Sequence, residues 1–394
     1  MLKRLLVLAL IPMFVLIPLA SRAADPYVIN VILPLTGPAS FIGSEEGQAL
    51  AVVEETVNKS GGIRGRPIHF SIVDDQSNPQ VTVQLTNGII AKKVPFFLGS
   101  SFTATCNAQL PLVKDGPVMY CFSPGAHPAE GSFAYSSSVS TKDELAVLAR
   151  YFRERGLRKV AVITSTDATG QDAERNIDAA FSAPENQVEQ IVAREHFNPS
   201  DVSVSAQMAH IKASDAQVLI AWSTGPAGGT LLRGATEAGL DVPIATTDGN
   251  LTYAQMKQYA AFLPKEMLFP AKPCNTPDGA TGNLVPPAIR QKIGAYLDAF
   301  KAKGIKPDNG QSLAWDPAFL MLDALRSLGF DATPAQVKQF IDSLNRWTGI
   351  DGQYNFHESP QRGLGAQAAL VVRWEPGKET WVAVSKLGGA LLSR

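Results

Sequence analysis

The sequence predicts an α/β protein of two lobes, each built on a parallel central sheet and joined to the other by three crossings of the chain. Three observations predict it. Short apolar, β-branched runs recur along the chain, helical patterns of roughly ten to seventeen residues lie between most of them, and this alternation breaks at three places. The runs are Tyr27–Leu35, Ile68–Asp74, Pro95–Gly99, Val118–Phe122, Lys159–Thr164, Val218–Trp222 and Pro243–Thr246. They are apolar almost throughout, as strands are when helices cover both faces of a parallel sheet.

The helices carry local signals. Asn78 before Pro79 sets a capping side chain ahead of proline at the first helical position, and the run Val81–Ile90 continues it. Ser44, followed by Glu45, Glu46 and Gln48, reads as another helix start with acids in its first turn. Leu145, Leu148, Ala149 and Phe152 share one helical face, as do Trp315, Phe319, Leu322 and Leu325, and both stripes are expected in the core. The breaks fall at Phe133–Ser140, which is rich in Ser, at Phe269–Gly282, rich in Pro, Gly, Asn and Thr, and at Thr348–Gly352. A cleft between two lobes joined in this way is where a small ligand is expected. The tail, Ala366–Trp374 and Trp381–Val384 around Pro376-Gly377, reads as a β-hairpin.

Composition bounds the function. The 394 residues are 45% hydrophobic and 18% charged, with 35 Lys+Arg against 36 Asp+Glu and a formal charge of −1. No basic block could track a nucleic-acid backbone, so a nucleic-acid partner is not expected. The chain opens with Lys3-Arg4, an apolar stretch from Leu5 to Ala20, and the small-residue exit Ser21-Arg22-Ala23-Ala24, the pattern of a secretory signal peptide over residues 1–23. A retained membrane anchor is the alternative, and Pro12 and Pro18 count against it. Cleavage after Ala23 removes three basic residues, Lys3, Arg4 and Arg22, and no acid, taking the formal charge from −1 to −4. No later apolar stretch is long enough to span a bilayer.

Cys106, Cys121 and Cys274 have no metal-finger spacing. Either Cys106 pairs with Cys121 in an oxidising compartment, or all three are buried, inert thiols. Catalytic signatures are missing: no GxxxxGK[ST], GxSxG, HExxH or GxGxxG follows a strand, and His69, His127, His196, His210 and His357 are scattered. Neither a metal nor a cofactor is expected, and no acid, base and nucleophile assemble into an exported enzyme's centre.

What remains is polar loops at the carboxyl ends of strands, where open α/β sheets bind ligands. Gly99-Ser100-Ser101-Phe102-Thr103-Ala104-Thr105 enters a helix, and its hydroxyls and free N–H groups suit a carboxylate, with helix capping as the alternative role of Thr103. Ser123-Pro124-Gly125-Ala126-His127-Pro128 follows the next strand; Gly125 permits close approach, and His127 suits an anion or a ring. In the second lobe the corresponding ends are Ser165–Gly170, Ser223–Gly229 and Thr246–Asn250. Asp248 either holds a ligand amine or makes an Asx-type turn, and Trp222 is either core or a cleft wall.

Leu35-Thr36-Gly37-Pro38 with Gly43 and Gly47, then Asn58-Lys59-Ser60-Gly61-Gly62-Ile63-Arg64-Gly65-Arg66-Pro67 and Val73-Asp74-Asp75-Gln76-Ser77-Asn78-Pro79, carry a family pattern. With Gly99, Thr103, Ser123-Pro124-Gly125-Ala126 and Leu231-Leu232-Arg233, they resemble the solute-binding proteins of branched-chain amino-acid ABC transporters, the Leu/Ile/Val-binding protein family. The resemblance spans nearly the whole mature chain. It implies a type I periplasmic-binding-protein fold of two Rossmann-like lobes, residues 27–140 plus 273–347 and 141–272 plus 348–394, in a periplasmic monomer that hands a small-molecule solute to a membrane permease. By the same resemblance the ligand carboxylate is held at Thr103, Gly125 and His127, the wall before the first helix is Phe41 and Ile42, and the acid for a ligand amine is Asp248; Ser101 of the Gly99–Thr105 loop joins these as a candidate ligand-binding residue. Thr169 stands where the family has a tyrosine, Thr224 or Gly225 near a second, and His127 where threonine is common. With Trp222, these positions shape the pocket and leave the ligand open among aliphatic amino acids, aromatic carboxylates, amides and urea. A soluble sensor of the same fold is the alternative function.

Overall fold

The computed structural model describes residues 25–186 and 189–392. The expected signal peptide and its cleavage point lie outside the described residues. No helix among those described is long and apolar enough to cross a membrane.

The first lobe is built in order from β1 (Tyr27–Leu33), α1 (Ser40–Lys59), β2 (Ile68–Asp74), α2 (Pro79–Ala91), β3 (Phe96–Leu98), α3 (Thr103–Gln109), β4 (Val118–Cys121) and β5 (Ala134–Ser136). These strands form one parallel sheet in the order β2-β1-β3-β4-β5, with Tyr27 opposite Ile68 and Leu33 opposite Asp74. Asn78 caps α2 as expected, its side chain accepting the Gln80 N–H at 2.8 Å. α1 differs from expectation, starting one turn before Ser44 because the chain turns at Gly37, whose φ is 81°, and Ile42 is already buried. Glu46 consequently lies inside the protein instead of in an exposed first turn.

The chain then crosses to the second lobe, with α4 (Thr141–Arg155), β6 (Lys159–Ser165), α5 (Ala168–Phe181), β7 (Gln190–Phe197), α6 (Ser205–Ala213), β8 (Val218–Trp222), α7 (Pro226–Glu237), β9 (Ile244–Ala245), α8 (Tyr253–Gln258) and β10 (Met267–Ala271). It returns through α9 (Pro277–Thr281), α10 (Pro287–Lys301), α11 (Asn309–Leu328), which lies along α1, α12 (Pro334–Asp342) and the hairpin β11 (Asn345–Thr348) and β12 (Gln353–Asn355). It ends with β13 (Leu370–Glu375) and β14 (Thr380–Ala383), which join the second sheet antiparallel in the order β14-β13-β10-β9-β8-β6-β7.

The lobe boundary expected between residues 347 and 348 falls inside the β11–β12 hairpin. Trp347 and Tyr354 pack edge-to-face at 5.2 Å, and Phe356 likewise packs edge-to-face against Tyr135 of β5 at 5.8 Å, so the chain stays with the first lobe beyond Gly352 and crosses back between β12 and β13. Strands β5 and β10 lie within or across stretches that read as breaks. Leu145, Leu148, Ala149 and Phe152 are buried as one stripe, whereas Phe319 is only half-buried beside Trp315, Leu322 and Leu325. Cys106 and Cys121 are joined, with their Cα atoms 6.1 Å apart, and Cys274 is a free, buried thiol.

One pair of acids, Asp308 buried and Glu45 half-buried, couples the fold to pH. Asp308 caps α11, accepting the N–H groups of Gly310 and of Tyr253, while Glu45 of α1 packs beside it. Burial first, and the Asp308 charge second, push the Glu45 carboxyl above its ordinary range, and burial also raises Asp308 to about 6. The folded protein thus binds a proton that the unfolded chain releases near pH 4.5, the ordinary glutamate value. Stability present below that pH is lost as pH rises through the raised folded values. We expect Glu45→Gln to flatten this decline in melting temperature across pH 5 to 8 and to stabilise the protein at neutral pH; a parallel, unchanged pH profile would show that the pair holds no such proton.

Candidate functional site

The loops at the carboxyl ends of β3, β4, β8 and β9 converge on a cleft between the lobes with about 490 Å³ of empty space. Of the ten residues singled out from the sequence, Ile42, Ser101, Thr103, Gly125, Thr169, Trp222, Thr224 and Asp248 line it. The geometry places Phe41 and His127 elsewhere. Phe41 meets the second lobe at Gly225, where a Cβ would come within 3.2 Å of the ring and 3.0 Å of the Pro38 carbonyl; the φ of 78° there also suits glycine. His127 turns out of the cleft because Asp172 on α5 draws it across the lobe boundary, Nε2 to Oδ1 at 2.7 Å. Both contacts join the two lobes.

Thr103 opens α3 and Ser123 follows β4, and their hydroxyls meet at 3.0 Å on the first-lobe wall. A Cβ at Gly125 would lie 2.7 Å from Thr103 Oγ1, so only glycine lets this loop close against the hydroxyl pair. Ser223 buries a hydroxyl with no protein partner among the described residues, and the buried Ser101 hydroxyl lies beside the Glu46 carboxyl. Burial pushes that carboxyl well above its usual range. Ile42, Phe102, Phe122, Trp222 and Leu313 supply the apolar walls. Trp222 is thus both core, at 1% exposure, and wall.

Asp248 is the one charged side chain among the described lining residues. Neither reading of it from sequence describes its contacts fully. The turn is capped by the Thr247 hydroxyl, which accepts the Gly249 N–H at 3.3 Å, while Asp248 Oδ2 faces the ammonium of Lys272 at 3.5 Å and the Ser138 hydroxyl at 3.4 Å. Lys272 follows β10 and also donates to Asn309 Oδ1 at 2.5 Å, and Asn309 Nδ2 donates to the Asp248 carbonyl at 2.9 Å. Burial opposes the charge on Lys272, but Asp351 and then Asp248 hold its pKa above the usual lysine value. Glu144, also buried, is pushed well above the carboxylate range by desolvation and by Asp248.

Lys272, Asn309 and Leu313 carry no local signal, since each reaches the cleft from an element remote in sequence. Among the described residues no cluster of His, Cys, Asp or Glu is placed to hold a metal ion.

The family model described as "Periplasmic binding protein" matches residues 26–379. The chain is 26% identical over 238 residues to Leu/Ile/Val-binding protein homolog 3 of Brucella melitensis; the match covers 58% of this chain and 63%, under two thirds, of that protein. It is 25% identical over 294 residues to a leucine-, isoleucine-, valine-, threonine- and alanine-binding protein of Pseudomonas aeruginosa, covering 73% of this chain and 74% of the relative. Two solved structures share the fold. One is the branched-chain amino acid transporter substrate-binding protein of Streptococcus pneumoniae in complex with isoleucine, with a TM-score of 0.75, 18% identity and coverage of 91% of this chain and 99% of that one. The other is a solute-binding protein of an ABC transporter from Rhodopseudomonas palustris in complex with benzoate, with a TM-score of 0.75, 17% identity and coverage of 94% and 98%.

Proposed function

The chain belongs to the periplasmic binding protein family, and on that premise we propose that it captures a small carboxylate-bearing solute, an amino acid or an aromatic acid, between its lobes and delivers it to the membrane permease of an ABC importer. Such a chain binds and releases its solute without altering it. One observation carries the carboxylate reading: the Thr103–Ser123 hydroxyl pair and the buried Ser101 hydroxyl are gathered at strand ends on one wall of the cleft. Desolvating a carboxylate requires several charge-assisted hydrogen bonds, and hydroxyl and backbone N–H donors supply them without a lysine or arginine in the cleft. The relatives named above as amino-acid-binding and the benzoate complex support the two ligand classes.

Closure follows from differential affinity: a solute held by both walls favours the form in which His127 reaches Asp172 and Phe41 reaches Gly225. Thr103→Val keeps the shape and removes a hydroxyl, and is expected to weaken carboxylate binding by about 1–3 kcal/mol in titration calorimetry. Unchanged affinity would take Thr103 out of the site.

A further inference from the structure

We propose that Lys272 selects the solute, by taking from inside the protein the place that an α-ammonium group would take against Asp248, so that the cleft prefers carboxylates without an α-amino group. The inference rests on the carboxylate reading above and decides between its two ligand classes.

Asp248 lies where the second lobe faces the hydroxyl-rich wall, and it alone among the described lining residues could balance a ligand cation. Its lone pairs are already directed into the protein. Oδ2 accepts from Lys272 and Ser138, and Oδ1 accepts from the Thr247 hydroxyl at 3.5 Å. Lys272 is held in place: its side chain is 1% exposed and that of Asp248 2%, and its three donors are spent on Asp248, Ser138 and Asn309. An incoming ammonium would therefore meet a carboxylate already paired with a cation, inside a cleft where water screens little.

The other acids near Lys272 do not restore the vacancy. Glu144 is 1% exposed and is not part of the cleft lining, and desolvation and then the Asp248 charge push its carboxyl well above the ordinary range. Asp351 accepts from Cys274 and is not part of the cleft lining. The remaining walls, Ile42, Phe102, Phe122, Trp222 and Leu313, fit an apolar or aromatic body attached to the carboxylate.

Matched pairs isolate the amine: L-phenylalanine against 3-phenylpropanoate, and L-leucine against 4-methylpentanoate, titrated calorimetrically into the ligand-stripped mature protein. The deaminated member of a pair is expected to bind about a hundredfold more tightly, the cost of bringing like charges together in a desolvated site. In Lys272→Met, checked for folding by circular dichroism, that ratio should fall at least tenfold because Asp248 is left without its cation; Lys272→Gln provides a second variant should methionine not fold. A merely structural role for Lys272 would lower both affinities and leave their ratio fixed, which overturns the proposal. So would equal or tighter binding of the amino acids by the unaltered protein, which leaves the carboxylate reading standing. Binding of 3-phenylpropanamide with neither acid would instead overturn the carboxylate reading, and this inference with it.

Discussion

Arg362→Ala is expected to destabilise the protein by about 3 kcal/mol, the order of cost when several buried carbonyls lose a charged hydrogen-bond donor. Arg362 is 8% exposed, and its guanidinium joins two segments that meet beside the cleft. One nitrogen donates to the carbonyls of Ser137 at 2.8 Å and Ser138 at 3.3 Å, where the chain first leaves the first lobe. The other donates to Pro124 at 3.2 Å and Ala126 at 2.6 Å, on either side of Gly125. Truncation leaves four carbonyls without this partner, and two of them belong to the loop that must present its backbone to a solute. Denaturant unfolding should show the midpoint fall, and calorimetry should show weaker solute binding in the protein that remains folded. A loss below about 1 kcal/mol would mean that water replaces the guanidinium at these carbonyls.

How much of this was legible in the sequence depended on whether the signal was local. β2 and β8 are bounded as their apolar runs suggested, because β8 is fully buried and β2, although a sheet edge, is an apolar run ended by the turn residues that follow Asp74. β7 escaped notice since it forms the sheet edge and carries Arg194, Glu195 and His196, with Arg194 paired to Glu174 and Asp178 of α5. Strand-end reasoning placed Ser101, Thr103 and Gly125 in the cleft, since position at the carboxyl end of a parallel strand follows from the local chain alone. It could not foresee that His127 turns toward Asp172, a partner on the other lobe. Nor could it find Arg362 or Lys272, whose partners lie on segments distant in sequence and brought together only by the three crossings.

Replacing both Cys106 and Cys121 by serine is expected to cost about 3 kcal/mol of stability, the chain-entropy value for a loop of about fifteen residues, and to weaken solute binding as well. The coupling to binding follows from where the bond sits. Cys106 lies three residues after Thr103 on α3, and Cys121 ends β4 two residues before Ser123, so the bridge ties together the two loops whose hydroxyls meet at 3.0 Å. Without it the folded protein must order both loops against the solute at the moment of binding, and the ordering cost appears as lost affinity. Both sulfurs are fully buried, which keeps them from external thiols until the lobe opens and suits an oxidising compartment. The unfolding midpoint of the double variant should therefore match that of the wild-type protein unfolded in reductant. Equal stability with and without the bridge would show that the unfolded chain is not constrained by it, while a stability loss with unchanged solute affinity would show that packing around Thr103 and Ser123 alone holds the two loops in register.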